Sequence, residues 1–161
     1  MNEIDGTVTL DKADKALLQT LQDDFPLTIR PWDALAERLG TTAEDVMARV
    51  GRLNDEGVIR RIGPVLETDR VGLTARTLVL MKVPQERMEE VAGIVSGFEE
   101  VTHNYERDHE YNLWFTLITP SQEMLNEALA KIIDATDVPE DGVLNLPVTE
   151  RYKIGVRYKF R

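Results

Sequence analysis

The sequence predicts an α+β chain, with a winged helix-turn-helix over residues 1–72 and a ferredoxin-like βαββαβ domain over residues 73–161. Three observations carry this. Three short segments with apolar residues at helical spacing come first, separated by abrupt stops. After Leu73 the rhythm changes, and β-branched runs alternate with amphipathic segments in the order β-α-β-β-α-β. Finally, the 161 residues are 42% hydrophobic and 30% charged, which suits two small cores and is too apolar for wholesale disorder.

The elements follow in order. Residues 11–24 read as a helix, with Ala13, Ala16, Leu17, Leu18 and Leu21 three and four apart, and Phe25-Pro26 stops it. Arg30-Pro31-Trp32 opens a second helix that Gly40 closes. Thr42 is the expected N-cap of the third, with Glu44 and Asp45 in its first turn and Val46, Val50 and Leu53 as its stripe. Residues 58–62 read as the wing strand. Residues 74–83 read as a strand, 85–96 as a helix, 101–107 and 111–119 as a hairpin. A helix capped by Ser121 follows, and 143–153 is the last strand.

Charge and composition exclude several functions. Lys and Arg total 19 against 29 Asp and Glu, a net charge of −10, which disfavours nucleic acid and anionic membrane as partners. Residues 1–58 hold twelve acids and six bases, and the third helix, where a DNA reader contacts bases, opens on Glu44 and Asp45. No cysteine is present, so disulfides, thiol catalysis and iron–sulfur ligation are excluded. The first residues show no targeting pattern and no apolar run is long enough to span a bilayer, so a soluble cytoplasmic protein is expected.

Residues 102–116 are chemically dense. Both histidines, His103 and His109, fall there with two of the four tyrosines and one of the two tryptophans. An even loop sets His103 opposite Trp114 and Tyr105 opposite Asn112. One sheet face then carries His103, Tyr105, Asn112 and Trp114, and the other carries Leu113, Phe115 and Leu117 as core. A slab of His, Tyr and Trp suits a flat conjugated ligand. The bland alternatives are a hydrogen-bonded interface histidine, half-buried strand aromatics, a solvated His109 and an Asn112 that satisfies a backbone group. Cations gather at Arg60, Arg61, Arg70 and Arg76 and in the tail 151–161, which has five cations and no acid. They are read either as solvated ends or as a local anion site.

Taken together the pattern resembles the Lrp/AsnC regulators, with Asn54-Asp55-Glu56-Gly57-Val58-Ile59-Arg60-Arg61 similar to their junction between recognition helix and wing. The stretch Ile59-Arg60-Arg61-Ile62-Gly63 more specifically resembles the sirohaem decarboxylase subunits. So do His103-Asn104-Tyr105-Glu106-Arg107 and Tyr111-Asn112-Leu113-Trp114-Phe115. That resemblance implies an enzyme on a transcription-factor scaffold, removing carboxyl groups from two acetate side chains of sirohaem to give didecarboxysirohaem on a route to haem or haem d1. It implies a paralogous partner subunit in a heterodimer, and no nucleic acid or membrane partner.

The expected chemistry is carboxy-lyase chemistry without redox. The tetrapyrrole is its own electron sink, so no added cofactor is required, and haem is a possible ligand. His103 is the expected general acid, helped by Tyr105. Trp114 is an apolar wall, Arg60, Arg61 and Arg107 hold retained carboxylates, and Asn112 also lines the substrate site. His103 or His109 is alternatively an axial ligand to the substrate iron, with no metal site of the protein's own. Two other functions fit the same residues: a ligand-responsive regulator of the Lrp/AsnC type, and a haem-binding module without catalysis.

Overall fold

The computed structural model describes residues 7–152, 155 and 157–160. The expected absence of a targeting pattern in residues 1–6, and the tail cations Lys153 and Arg161, lie outside them. The chain divides into two units, residues 1–64 with 154–161, and residues 65–153. Among the described residues no helix is long and apolar enough to cross a membrane.

The first unit is a three-helix cluster. Helix α1 (Lys12–Asp23) opens on a capping box. The Asp14 amide donates to the Asp11 carboxylate at 2.7 Å and the Asp11 amide to the Asp14 carboxylate at 3.1 Å. Helix α2 (Pro31–Leu39) begins at its proline and ends on Gly40, whose φ of 68° is the left-handed conformation such a stop requires. Helix α3 (Ala43–Asp55) is capped by Thr42, which accepts from the Asp45 amide. Leu17, Leu18, Leu35, Ala36, Val46, Leu53 and Ile59 form the core.

The expected wing strand is absent: residues 58–67 carry no strand. Ile59 is buried, and its amide donates to the Leu53 carbonyl. A strand needs a neighbour to take its backbone groups, and no described strand pairs with this segment.

The second unit contains strands β1 (Ala75–Met81), β2 (Val101–Glu106), β3 (Leu113–Thr119) and β4 (Val143–Pro147), with helices α4 (Met88–Ser96) and α5 (Gln122–Thr136). The sheet order is β2-β3-β1-β4 with every pair antiparallel, the arrangement expected of a βαββαβ unit. Residues 85–87, expected to start α4, form a 3₁₀ turn instead. Strand β4 ends at Pro147, short of the expected 153, and one further bond, from the Val148 amide to the Arg76 carbonyl, follows it.

Along β3 burial alternates strictly. Leu113, Phe115 and Leu117 face Val91, Val95, Leu129 and Ile132 in the core, while Trp114, Thr116 and Ile118 lie on the opposite face and are half-buried.

The division between units falls at residue 64, not at the expected residue 72. Residues 68–71 form a 3₁₀ turn, and its Asp69 is bound by Arg76 on β1 and by Arg151. These ties hold the segment to the second unit. The tail, expected in the second domain, belongs with the first. Arg157 pairs with Asp23 at 2.6 Å, and the Tyr158 backbone exchanges two hydrogen bonds with the Gln22 side chain.

Candidate active site

The aromatic face expected from period-two alternation exists, with its register moved by two residues. Tyr105 lies opposite Trp114, and His103 opposite Thr116. The expected pairs were His103 with Trp114 and Tyr105 with Asn112. The loop is even, as required. Arg107 donates its amide to the Asn112 carbonyl at 2.7 Å, closing a four-residue loop of residues 108–111. Alternation fixes which face a residue takes but not how far one strand slides on the other.

Strand β2 is an edge strand, and its ring-bearing face is open, with His103 and Tyr105 both exposed. The His103 and Tyr105 rings stack with centroids 6.1 Å apart and planes 24° apart. The Arg107 guanidinium lies 4.7 Å from the Tyr105 centroid, a cation–π contact that carries the strip beyond the strand. Across the ladder Trp114 is fixed by its indole N–H, which donates to the Tyr111 carbonyl at 2.5 Å. The result is a rigid apolar plate beside an exposed imidazole and an exposed guanidinium.

His103 is held from one side only. Its Nδ1 lies 3.2 Å from the Thr102 hydroxyl and 3.3 Å from that of Thr116. Nε2 makes no hydrogen bond among the described residues. Thr102 and Thr116 were not singled out from the sequence. Thr116 lies two residues beyond Trp114 on the same face, which is the signal that could have found it.

His109, expected to be solvated, is exposed but built into the loop. Its Nδ1 accepts the Tyr111 amide at 3.1 Å, and its ring lies against Tyr111 and edge-on to Trp114. Lys82 anchors the same loop, with its ammonium 4.6 Å from the Tyr111 centroid and 2.5 Å from Glu110. The Glu110 contact comes first among the causes that raise the Lys82 pKa above its ordinary value.

Asn112, expected to line the substrate site, has its side-chain amide engaged by backbone. Its amide nitrogen donates to the Val83 carbonyl, and its oxygen accepts the Val83 amide, both at 2.8 Å. It satisfies a backbone segment 29 residues away, the bland alternative, and so positions the hairpin. Arg60 and Arg61 belong to the first unit, exposed and without an ion pair among the described residues.

In the first unit the cations of α3 are occupied. Arg49 binds Asp11 and Asp14 at 2.8 Å and Asp45 at 3.1 Å. Arg52 binds Asp14 at 2.7 Å and Glu56 at 2.8 Å. Asp14 is buried, and burial alone works to raise its pKa. The Asp11 amide and the two guanidiniums outweigh that and hold it below the usual carboxylate range. Both arginines of α3 are thus paired with the protein's own acids.

A helix-turn-helix unit followed by a β2-β3-β1-β4 sheet defines the class of AsnC-type two-unit proteins. A family profile described as an AsnC-like ligand-binding domain matches residues 70–153. One described as a siroheme decarboxylase NirDL-like HTH domain matches residues 14–60. The crystal structure of PH0061, at 22% identity, superposes with a TM-score of 0.78 over 94% of this chain and 100% of that one, which speaks to the fold alone.

Sequence similarity is more specific. The siroheme decarboxylase alpha subunit of Desulfovibrio desulfuricans is 41% identical over 150 residues, 93% of this chain and 84% of that protein. The siroheme decarboxylase NirG subunit of Stutzerimonas stutzeri is 40% identical over 92% of this chain and 99% of its own length. The crystal structure of the siroheme decarboxylase NirDL in co-complex with an iron-uroporphyrin III analogue matches with a TM-score of 0.64 at 30% identity. That match covers 83% of this chain and 43% of the NirDL chain. The chain belongs to the sirohaem decarboxylase family.

Proposed function

We propose that this chain is a sirohaem decarboxylase subunit, working with a paralogous partner and converting two ring acetates to methyl groups. The observation that carries the reading is the stacked His103–Tyr105 pair on an open sheet face, with Trp114 across the ladder and Arg107 at its end. It joins a flat aromatic surface to a proton donor and a carboxylate-binding cation.

In each turnover the bond between the acetate methylene and its carboxylate breaks. Carbon dioxide leaves, and the electron pair passes into the tetrapyrrole. A proton then restores neutrality at the methylene, which becomes a methyl group. One proton is consumed per carbon dioxide and no electrons are exchanged with another reagent, so the step requires no redox cofactor. His103 supplies the proton, because imidazole is the side chain whose ordinary titration range lies around neutrality. Tyr105 orients the imidazole through their stack. Trp114 covers the departing carboxylate with apolar surface, which favours loss of its charge. Arg107 holds a carboxylate that is kept, and Arg60 and Arg61 have the same chemistry to offer. Ligation of the substrate iron is the alternative to proton donation for His103, and His109 offers its Nε2 for the same purpose. Asn112 acts by holding the hairpin.

The acid-bound state of Arg49 and Arg52 supports a helix-turn-helix that no longer reads DNA. The test is anaerobic incubation with sirohaem, alone and with the paralogous subunit, with products read by mass. Mono- and didecarboxylated products are expected. Unchanged sirohaem with both subunits present overturns the reading, and full turnover by His103→Ala overturns the proton-donor assignment.

A further inference from the structure

Strand β2 contains an irregularity that the reaction as outlined does not explain. Val101 pairs with Leu117 and His103 with Thr116, so one extra residue, Thr102, is inserted on β2. An ordinary strand sends consecutive side chains to opposite faces. At this bulge Thr102 and His103 instead converge on the single residue opposite them. The Thr102 and Thr116 hydroxyls are 2.7 Å apart, and both reach the His103 Nδ1, at 3.2 and 3.3 Å. Bulges recur beside functional sites because they re-aim a side chain at the cost of local pairing.

We propose that Thr102 and Thr116 are positioning residues that hold the His103 Nδ1 and leave Nε2 as the atom that delivers the proton to substrate. This rests on the proton-donor assignment of His103. The hydrogen count supports it. Two hydroxyls supply two protons, and the contact between them uses one. The other is free to donate to Nδ1, an arrangement in which Nδ1 accepts and the imidazole proton sits on Nε2. When the ring is doubly protonated, Nδ1 becomes a donor and the hydroxyls rotate to accept. A hydroxyl pair therefore serves both protonation states of an acid that must give up and regain a proton in every cycle. A carboxylate at the same place would favour the cation alone. The pair also fixes the ring plane, which the stack on Tyr105 requires.

The experiment compares the wild type with a Thr102→Val/Thr116→Val double variant and its conservative counterpart, Thr102→Ser/Thr116→Ser. Each is assayed anaerobically with the paralogous subunit and sirohaem. Loss of the contacts is expected to lower kcat about tenfold with KM unchanged, and the serine variant to restore it. In nitrogen-15 spectra of the substrate-free protein, assigned against His103→Ala, the His103 Nδ1 resonance moves in the valine variant and returns in the serine variant. Wild-type turnover in the valine variant overturns the proposal, as does failure of the serines to rescue or an unmoved Nδ1 resonance. The spectra need no substrate, so a fully active His103→Ala enzyme would defeat the proton-donor assignment while the threonine contacts were still judged by themselves.

Discussion

Replacing Asp14 by alanine should loosen the first unit far more than removal of a surface carboxylate. Asp14 is 2% exposed and makes three contacts that alanine cannot: the Asp11 amide, Arg49 and Arg52. The capping bond is worth about 1 kcal/mol. The two guanidinium contacts are charge-assisted, but both arginines keep other carboxylate partners and remain partly exposed, so together they contribute about 2 kcal/mol. The sum is about 3 kcal/mol, and with a urea dependence of about 1.5 kcal/mol/M for a unit of this size the midpoint should fall by about 2 M. Trp32 reports this unit, since it packs against the unit's core and edge-on to Phe25. A Trp114→Phe background removes the other tryptophan. Urea titration followed by Trp32 fluorescence then reads the first unit by itself. Asp14→Asn should lie between, because an amide still accepts from the Asp11 amide but leaves two guanidiniums with one anion fewer. A midpoint shift under about 0.5 M for Asp14→Ala would refute the claim that this carboxylate ties α1 to α3.

Four further outcomes follow from the same geometry. Asp11 is held below its ordinary pKa of 3.8, first by the Asp14 amide and then by Arg49. Asp45 is held there first by the Thr41 hydroxyl and then by Arg49. Depressed carboxylates stabilise the fold above the unfolded value and lose that contribution as pH falls through the folded value, so the Trp32 midpoint should be level down to about pH 5 and drop below about pH 4. Asp23 is lowered to about 2, chiefly by Arg157 and next by Gln19. In Arg157→Ala its carboxyl titration, followed by NMR, should move up towards 3.8 without reaching it, since Gln19 remains. Asn112→Ala strands both polar groups of Val83 and should cost the second unit about 2–3 kcal/mol in urea denaturation, with Asn112→Asp recovering only the accepting half. Arg107→Ala should raise KM for sirohaem about tenfold at unchanged kcat in steady-state assays, and Arg107→Lys should not restore it, because lysine lacks the planar fork.

The sequence carried the helices, the strand order and the two faces of the β2–β3 hairpin, because each leaves a periodic mark. Asp11, Thr42, Ser121 and Gly40 stand where the chain turns into or out of a helix, and their local chemistry decides those ends. What escaped depends on partners distant in the chain. Alternation predicted that Tyr105 and Trp114 share a face, but the slide of β2 on β3 is set by the loop closure between Arg107 and Asn112. One inserted residue at Thr102 leaves no compositional trace. The commitment of Asn112 to Val83, and the return of the tail to Asp23, are tertiary contacts no local pattern encodes. In α3 the acidic first turn was legible, but the capture of Arg49 and Arg52 by Asp14 on another helix was not.

The bulge at Thr102 has a second consequence, for life at high concentration. Strand β2 lies at the border of the sheet, where an unbroken row of backbone donors and acceptors would be a template for any passing chain. An inserted residue bends the strand and increases its twist, so a straight visitor cannot stay in step along it. The same residue that turns a hydroxyl towards His103 therefore guards the border strand against aggregation. A variant that straightened it should be recognised first by its tendency to precipitate.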